Sequence, residues 1–277
     1  MNRNDTQVFR RESENSVKII IYESAIPWRC VSGRKKLNKI IENVFALNYL
    51  LKELLYPHKC PFCGTVTTDS ICGVCRQNVI FVEEPRCKKC GKPVRAEEQE
   101  YCNDCKKREH AFETGISIFL HQGTVAQSLY RFKYHNKRIY AKDYARLFME
   151  ICGKEIRRWG IDVLIAVPVH RKRKRKRGYN QAEILAEAIS EISGIPYIAD
   201  AVVRVNETIP QKRLDPSRRR RNMEHAFRMQ KVLPAYSHVL IIDDIYTTGA
   251  TIDSLAKKLK KQGVKVYFFT ISIGQGF

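Results

Sequence analysis

Apolar positions change their period along this chain. From Leu37 to Tyr56 they recur at three- and four-residue steps (Leu37, Ile40, Ile41, Val44, Leu47, Leu51, Leu54, Leu55), which predicts a helix packed on the core and ended by Pro57. Residues 58–110 hold few apolar positions and no such period. From residue 111 onward, short apolar runs alternate with helical patterns. Phe112–Leu120, Asp162–Val169, Tyr197–Val205, Val239–Ile242 and Val264–Ile273 read as strands. Thr124–Lys133, Ile139–Arg158, Ala182–Ile192 and Ile252–Lys261 read as helices. Strands alternating with helices predict an α/β domain with a mostly parallel sheet, which Val264–Ile273 closes. Cys152 lies on the apolar face of the long helix, with Leu147 and Phe148, and reads as a buried core thiol. Residues 1–35 give little pattern beyond Val17–Tyr22. They read as a poorly ordered extension or as a segment docked on a neighbouring domain. The chain thus divides into 1–35, an extension; 36–110, a helix plus a cysteine-rich module; and 111–277, the α/β domain.

The cysteines explain the poorly apolar middle. Eight of ten stand in C-x-x-C pairs: Cys60/Cys63, Cys72/Cys75, Cys87/Cys90 and Cys102/Cys105. Each pair can turn two thiolates toward one ion, and two pairs complete a tetrahedral Cys₄ zinc site. Two structural zinc ions are expected. Sequential pairing (60, 63, 72, 75, then 87, 90, 102, 105) is simplest, and spacing leaves a cross-braced pairing open. A redox C-x-x-C normally occurs once beside a βαβ pattern, which argues against that chemistry. His58 and His110 flank the module and read as surface histidines rather than ligands.

Val239–Thr251, V-L-I-I-D-D-I-Y-T-T-G-A-T, carries the most chemistry. A buried strand, two carboxylates where it would end, and a Thr/Gly turn lead into a helix. The first N–H groups of a helix lack internal partners, and its dipole is positive there, so the turn can hold an anion. Gly249 allows a bend, and Thr247, Thr248 and Thr251 add hydroxyl donors around Ala250. Asp243 and Asp244 suit vicinal hydroxyls, or Mg²⁺ bound through water. Phosphate at one end and a diol at the other describe a ribose 5-phosphate. An ordinary βα turn with a Thr cap is the plainer alternative.

Charge adds a second theme. Fifty basic residues face 29 acidic ones, a net charge of +21, which points to a polyanionic partner such as nucleic acid, or more simply to a solvated basic surface. His170 follows the second strand, and seven consecutive basic residues, Arg171–Arg177, follow it. Such a run is often a mobile loop. Its place at the C-terminal end of a strand, where open α/β sheets bind ligands, argues for a role. A long polar stretch with Gln211, Arg213 and Arg218–Arg221 has the length of a lid. No apolar run reaches membrane length, and the start lacks a signal-like build, so a cytoplasmic protein without stable membrane insertion is expected.

Val239–Thr251 resembles the phosphoribosyl-pyrophosphate (PRPP) motif of type I phosphoribosyltransferases. With L-L-Y-P-H-K-C-P-F-C-G, F-K-Y-H-N-K-R, P-V-H-R-K-R-K-R-K-R-G-Y-N-Q-A-E and Q-K-R-L-D-P-S-R-R-R-R-N-M-E-H-A-F, residues 36–277 resemble the ComF family. The resemblance implies a type I phosphoribosyltransferase fold, helices on both faces of its sheet, behind a small double zinc-ribbon module. It implies that Asp243 and Asp244 hold the ribose hydroxyls of Mg-PRPP and that Thr247, Thr248, Gly249, Ala250 and Thr251 hold its 5-phosphate. His170, Arg171, Lys172, Arg173 and Arg213 would contact pyrophosphate or nucleic acid. It also implies a place in natural transformation, with single-stranded DNA and other competence proteins as partners. No residue identifies an acceptor. The competing readings are a phosphoribosyltransferase, a zinc-stapled adaptor for single-stranded DNA using Tyr130, Phe132, Tyr134 and Tyr179 (Phe132 better read as core), and a PRPP-sensing regulator without turnover.

Overall fold

A computed structural model describes residues 57–205, 226–233 and 237–275. The extension, the helix expected over 37–56 and the polar stretch with Arg213 and Arg218–Arg221 lie outside the described residues. The elements run α1 (Gly73–Asn78), α2 (Asn103–Lys106), β1 (Gly115–Leu120), α3 (Gly123–Tyr134), α4 (Tyr140–Trp159), β2 (Val163–Ala166), α5 (Arg171–Arg177), α6 (Gln181–Ser193), β3 (Val202–Arg204), β4 (Phe227–Met229), β5 (His238–Tyr246), α7 (Ala250–Lys260) and β6 (Lys265–Ile273).

Four strands form a parallel sheet in the order β1-β6-β5-β2, and β3 pairs with β4 antiparallel. Side chains alternate between the two faces, as the pleat requires. Leu164, Leu240, Ile242 and Phe269 face a core with α3, α4 and α6. Val163, Ile165, Val239, Ile241 and Phe268 face one with α7. The α/β architecture with helices on both faces is therefore as expected.

Four details differ from the sequence reading. β6 lies inside the sheet, between β1 and β5, because its residues from Phe268 to Ile273 are buried on both faces. β5 runs through both aspartates to Tyr246, since pairing with β6 continues past the last apolar residue. The first strand starts only at Gly115, where a Cβ would strike the Phe268 ring. The basic run is a helix, α5, with His170 capping its start and Gly178, in the left-handed conformation, at its end. Cys152 is fully buried as expected, and burial pushes its thiol up to about 12.

The cysteine-rich module packs on both faces. Phe62 of the first ribbon meets Phe119 and Tyr144 edge-on at 5.3 and 6.2 Å. The Arg131 guanidinium on α3 donates to the carbonyls of Pro61 and Phe62. The second ribbon contributes Cys87, Cys90, Val94 and Cys102 to the core on the α7 side. Neither histidine is a simple surface residue. His58 Nδ1 donates to the Thr67 carbonyl at 2.8 Å and its Nε2 meets the Asp143 carboxyl at 2.8 Å, and the His110 side chain is 3% exposed beside Asp253.

Candidate functional site

The thiol pairing is sequential. The sulfurs of Cys60, Cys63, Cys72 and Cys75 lie within 4.8 Å of one another, and so do those of Cys87, Cys90, Cys102 and Cys105. Four thiolates so close would repel strongly, and a divalent cation removes that repulsion. Each set has the all-sulfur donors of a structural zinc site with no open position.

The second site lies at the C-terminal end of β5. Asp243 pairs in register with Thr270 of β6, and the Asp244 N–H donates to Asp243 Oδ1 at 2.9 Å. Burial first, and the neighbouring Asp244 second, push the Asp243 carboxyl up to about 7. Asp244 pairs with Lys133 at 2.8 Å. Arg204, at the end of β3, is half-buried with its Nε enclosed, and its cation interacts favourably with Asp243 and unfavourably with Arg173 of α5. Beyond β5, Thr247 is exposed and Thr248 half-buried. Gly249 sits at φ 75°, a conformation that suits glycine, and a Cβ there would lie 2.3 Å from the Tyr246 hydroxyl. It is the N-cap of α7, whose start has no side-chain capping bond. Asn180 and His170, by contrast, cap α6 and α5 with their own side chains. Among the described residues no side chain caps the first amides of α7.

His121, just past β1, completes the rim. Its Nδ1 meets the Ser272 hydroxyl at 2.9 Å, and burial and then Lys133 hold its pKa below the usual value against the pull of Asp244. Lys133, Arg204 and His121 had no individual signal in the sequence beyond their places next to strand ends and helix ends.

The basic helix divides its charges. Arg173 is half-buried and its charge opposes that of Arg204, and Lys174 pairs with Glu183 at 2.7 Å. Arg177 donates to Gln181 and to the Tyr134 hydroxyl, its guanidinium 4.8 Å from the Tyr134 ring. Arg171, Lys172, Arg175 and Lys176 are exposed. His170 serves as the helix cap through Nδ1, 3.4 Å from the Lys172 nitrogen. Of the four aromatics considered for stacking, Phe132 and Tyr179 are buried, and Tyr179 donates to the Phe132 carbonyl. Tyr130 and Tyr134 are 58% and 53% exposed, with ring centroids 4.9 Å apart.

Fold and thiol sites together define a class: two Cys₄ zinc-type sites in a small module joined to a parallel α/β domain. Residues 51–106 match the family model described as "Double zinc ribbon domain". Competence protein F of Haemophilus influenzae is 29% identical over 205 residues, 72% of this chain and 88% of that protein. The DNA utilization protein YhgH of Salmonella typhimurium is 28% identical, covering 70% of this chain and 85% of its own. Competence protein ComFC of Bacillus subtilis is 24% identical, covering 70% and 80%. These relatives bear out the resemblance to the ComF family. A crystal structure of adenine phosphoribosyltransferase is similar at a TM-score of 0.33 and 16% identity over 53% of this chain and 75% of that one, too slight to add to the topology. No helix among the described residues is long and apolar enough to cross a membrane.

Proposed function

We propose that the protein binds Mg-PRPP at the C-terminal end of the sheet and acts in DNA handling during natural transformation, on the cytoplasmic side. The carrying observation is the juxtaposition of the Asp243–Asp244 pair with a glycine turn opening an uncapped helix, with Lys133 paired to Asp244 and the Arg204 charge acting on Asp243. Asp243 and Asp244 would accept hydrogen bonds from the ribose hydroxyls, and the α7 amides with Thr247, Thr248 and Thr251 would hold the 5-phosphate. Arg204, whose charge acts on Asp243, and the cations of α5 would offset the charge of a departing pyrophosphate. Mg²⁺ would supply further neutralisation of that group. Transfer of the phosphoribosyl group to an acceptor would then depend on positioning and charge, as expected for an oxocarbenium-like transition state. The relatives' printed names, competence protein and DNA utilization protein, support the cellular setting and other competence proteins as partners. Calorimetric titration with PRPP and Mg²⁺ tests the reading. Saturable binding lost in the Asp243→Asn/Asp244→Asn double variant is expected, and equal affinity in both proteins would refute it.

The exposed Tyr130–Tyr134 pair favours a second, compatible reading, a surface for single-stranded DNA. Arg177 anchors Tyr134, His135 lies 5.6 Å from Tyr130, and the exposed cations of α5 follow along the chain. Bases would stack on the rings and phosphates would meet the cations. Replacing both tyrosines with alanine should weaken oligonucleotide binding by about 1–3 kcal/mol per stacked base. PRPP binding should be unchanged. Affinity should also fall steeply with salt. Oligonucleotide binding indifferent to both changes would remove this surface.

A further inference from the structure

We propose that the second zinc ribbon is the rear wall of the phosphate turn, with Asp253, His110 and Tyr246 as positioning residues that fix its backbone amides. The proposal rests on the reading that Thr247–Thr251 receive a phosphate.

Three sets of contacts join the ribbon to the turn. The Cys87–Cys90 knuckle lies on the start of β1. The Lys89 carbonyl accepts from the Gly115 N–H at 3.0 Å, the Lys88 carbonyl accepts from the Thr114 hydroxyl at 2.8 Å, and a Cβ on Gly91 would lie 2.8 Å from the Gly115 oxygen. From this knuckle Lys92 reaches inward. It is 4% exposed, pairs with Asp104 at 2.7 Å and places its Nζ 5.9 Å from the Tyr246 ring centroid.

Tyr246 is the intermediate piece. Its ring stacks on Phe268 at 4.7 Å and 4° and takes the edge of Phe112 at 6.4 Å. Its hydroxyl end fills the space where any side chain on Gly249 would stand. The turn therefore has the ring at its back, so its course is set from the ribbon side.

The third contact holds the helix. The Asp253 carboxylate, one turn into α7, accepts from the Ala111 N–H at 2.7 Å and lies 3.4 Å from His110 Nδ1. The His110 ring stacks on Phe112 at 4.8 Å. The Asp253 N–H in turn donates to the Gly249 carbonyl at 2.8 Å. Residues 110–112, where the chain leaves the second ribbon, thus clasp the first turn of α7. A helix without a side-chain cap would otherwise fray at its start. The clasp keeps that start ordered from behind and leaves its amides open to a ligand.

Amide hydrogen exchange on the full-length, zinc-loaded protein tests this without any ligand. Asp253→Ala and His110→Ala should speed exchange at residues 253–255, the first hydrogen-bonded amides of α7, at least tenfold. Protection of β2 and of Val239–Ile242 should hold, and zinc content by mass spectrometry should stay at the wild-type level. Asp253→Asn keeps an accepting oxygen for the Ala111 N–H and should recover most of the protection. PRPP affinity should follow the same ranking, about tenfold weaker for Asp253→Ala. Unchanged exchange at residues 253–255, or an equal rise across the whole sheet with no recovery in Asp253→Asn, would overturn the proposal. If the local pattern appears but the wild type takes up no PRPP, the clasp stands and the ligand reading falls.

Discussion

Asp243→Asn is expected to make the protein more stable above pH 7 while weakening Mg-PRPP binding by about 10- to 100-fold, the range for losing a charged hydrogen-bond partner. The two effects share one cause. Burial and the adjacent Asp244 raise the Asp243 carboxyl to about 7 in the folded protein. In the unfolded chain it ionises near the ordinary aspartate value of about 4. Between these values the folded state holds the extra proton, so stability falls as pH rises from about 4 to about 7 and then levels off. The asparagine variant lacks that fall. Its advantage should widen across the window and reach about 4 kcal/mol by pH 8. Guanidinium denaturation at pH 5 and pH 8, beside PRPP titrations at both, checks the pair. An advantage that does not grow with pH would show that the Asp243 charge is well solvated. Unchanged PRPP affinity would remove Asp243 from the site.

Loss of zinc from either ribbon should cost several kcal/mol, because binding energy at a closed Cys₄ site is folding energy. For a domain of this size that lowers Tm by roughly 10 °C or more. The consequences should differ by ribbon. Cys60→Ser disturbs the knuckle whose Pro61 and Phe62 carbonyls accept from Arg131, and whose Phe62 ring meets Tyr144. It should therefore loosen α3, with Lys133 and Tyr130. Cys90→Ser should loosen the neighbourhood of Tyr246 instead. Metal content by mass spectrometry and Tm by calorimetry read both variants. A Tm within about 2 °C of wild type after loss of one zinc would mean that the ribbon is an appendage, its burial energetically idle.

Much of this was legible in the sequence, and particular residues show where legibility ended. The eight paired cysteines announced two metal sites because ligand spacing is local, whereas which pairs share an ion needed the fold. The strand–acid–turn–helix order of Val239–Thr251 was readable for the same reason. The extent of β5 was not: apolar patterning stops at Ile242, whereas backbone pairing with β6 runs to Tyr246. Seven adjacent cations suggested a loop because like charges repel. Lysine and arginine are nevertheless good helix formers, and caps at both ends, Glu183, Gln181 and Tyr134 supply what the run lacks. Lys133 and Arg204 reach Asp244 and Asp243 from elements distant in sequence, and only the fold brings such groups together. His110 looked superficial because nothing local shows that α7 covers it.

The segment between the two ribbons has a consequence for how the protein can be divided. Val82 donates its N–H to the Ile118 carbonyl and Leu120 donates to Ile80, so this linker lies antiparallel along β1, the outer strand of the sheet. A cut at residue 110, where the composition changes, would strip that cover and leave an open hydrogen-bonding edge beside apolar side chains, the kind of edge that recruits other chains. The α/β part isolated in this way would be a sticky fragment, while the intact polypeptide carries its own edge protection on the piece that also spaces its metals.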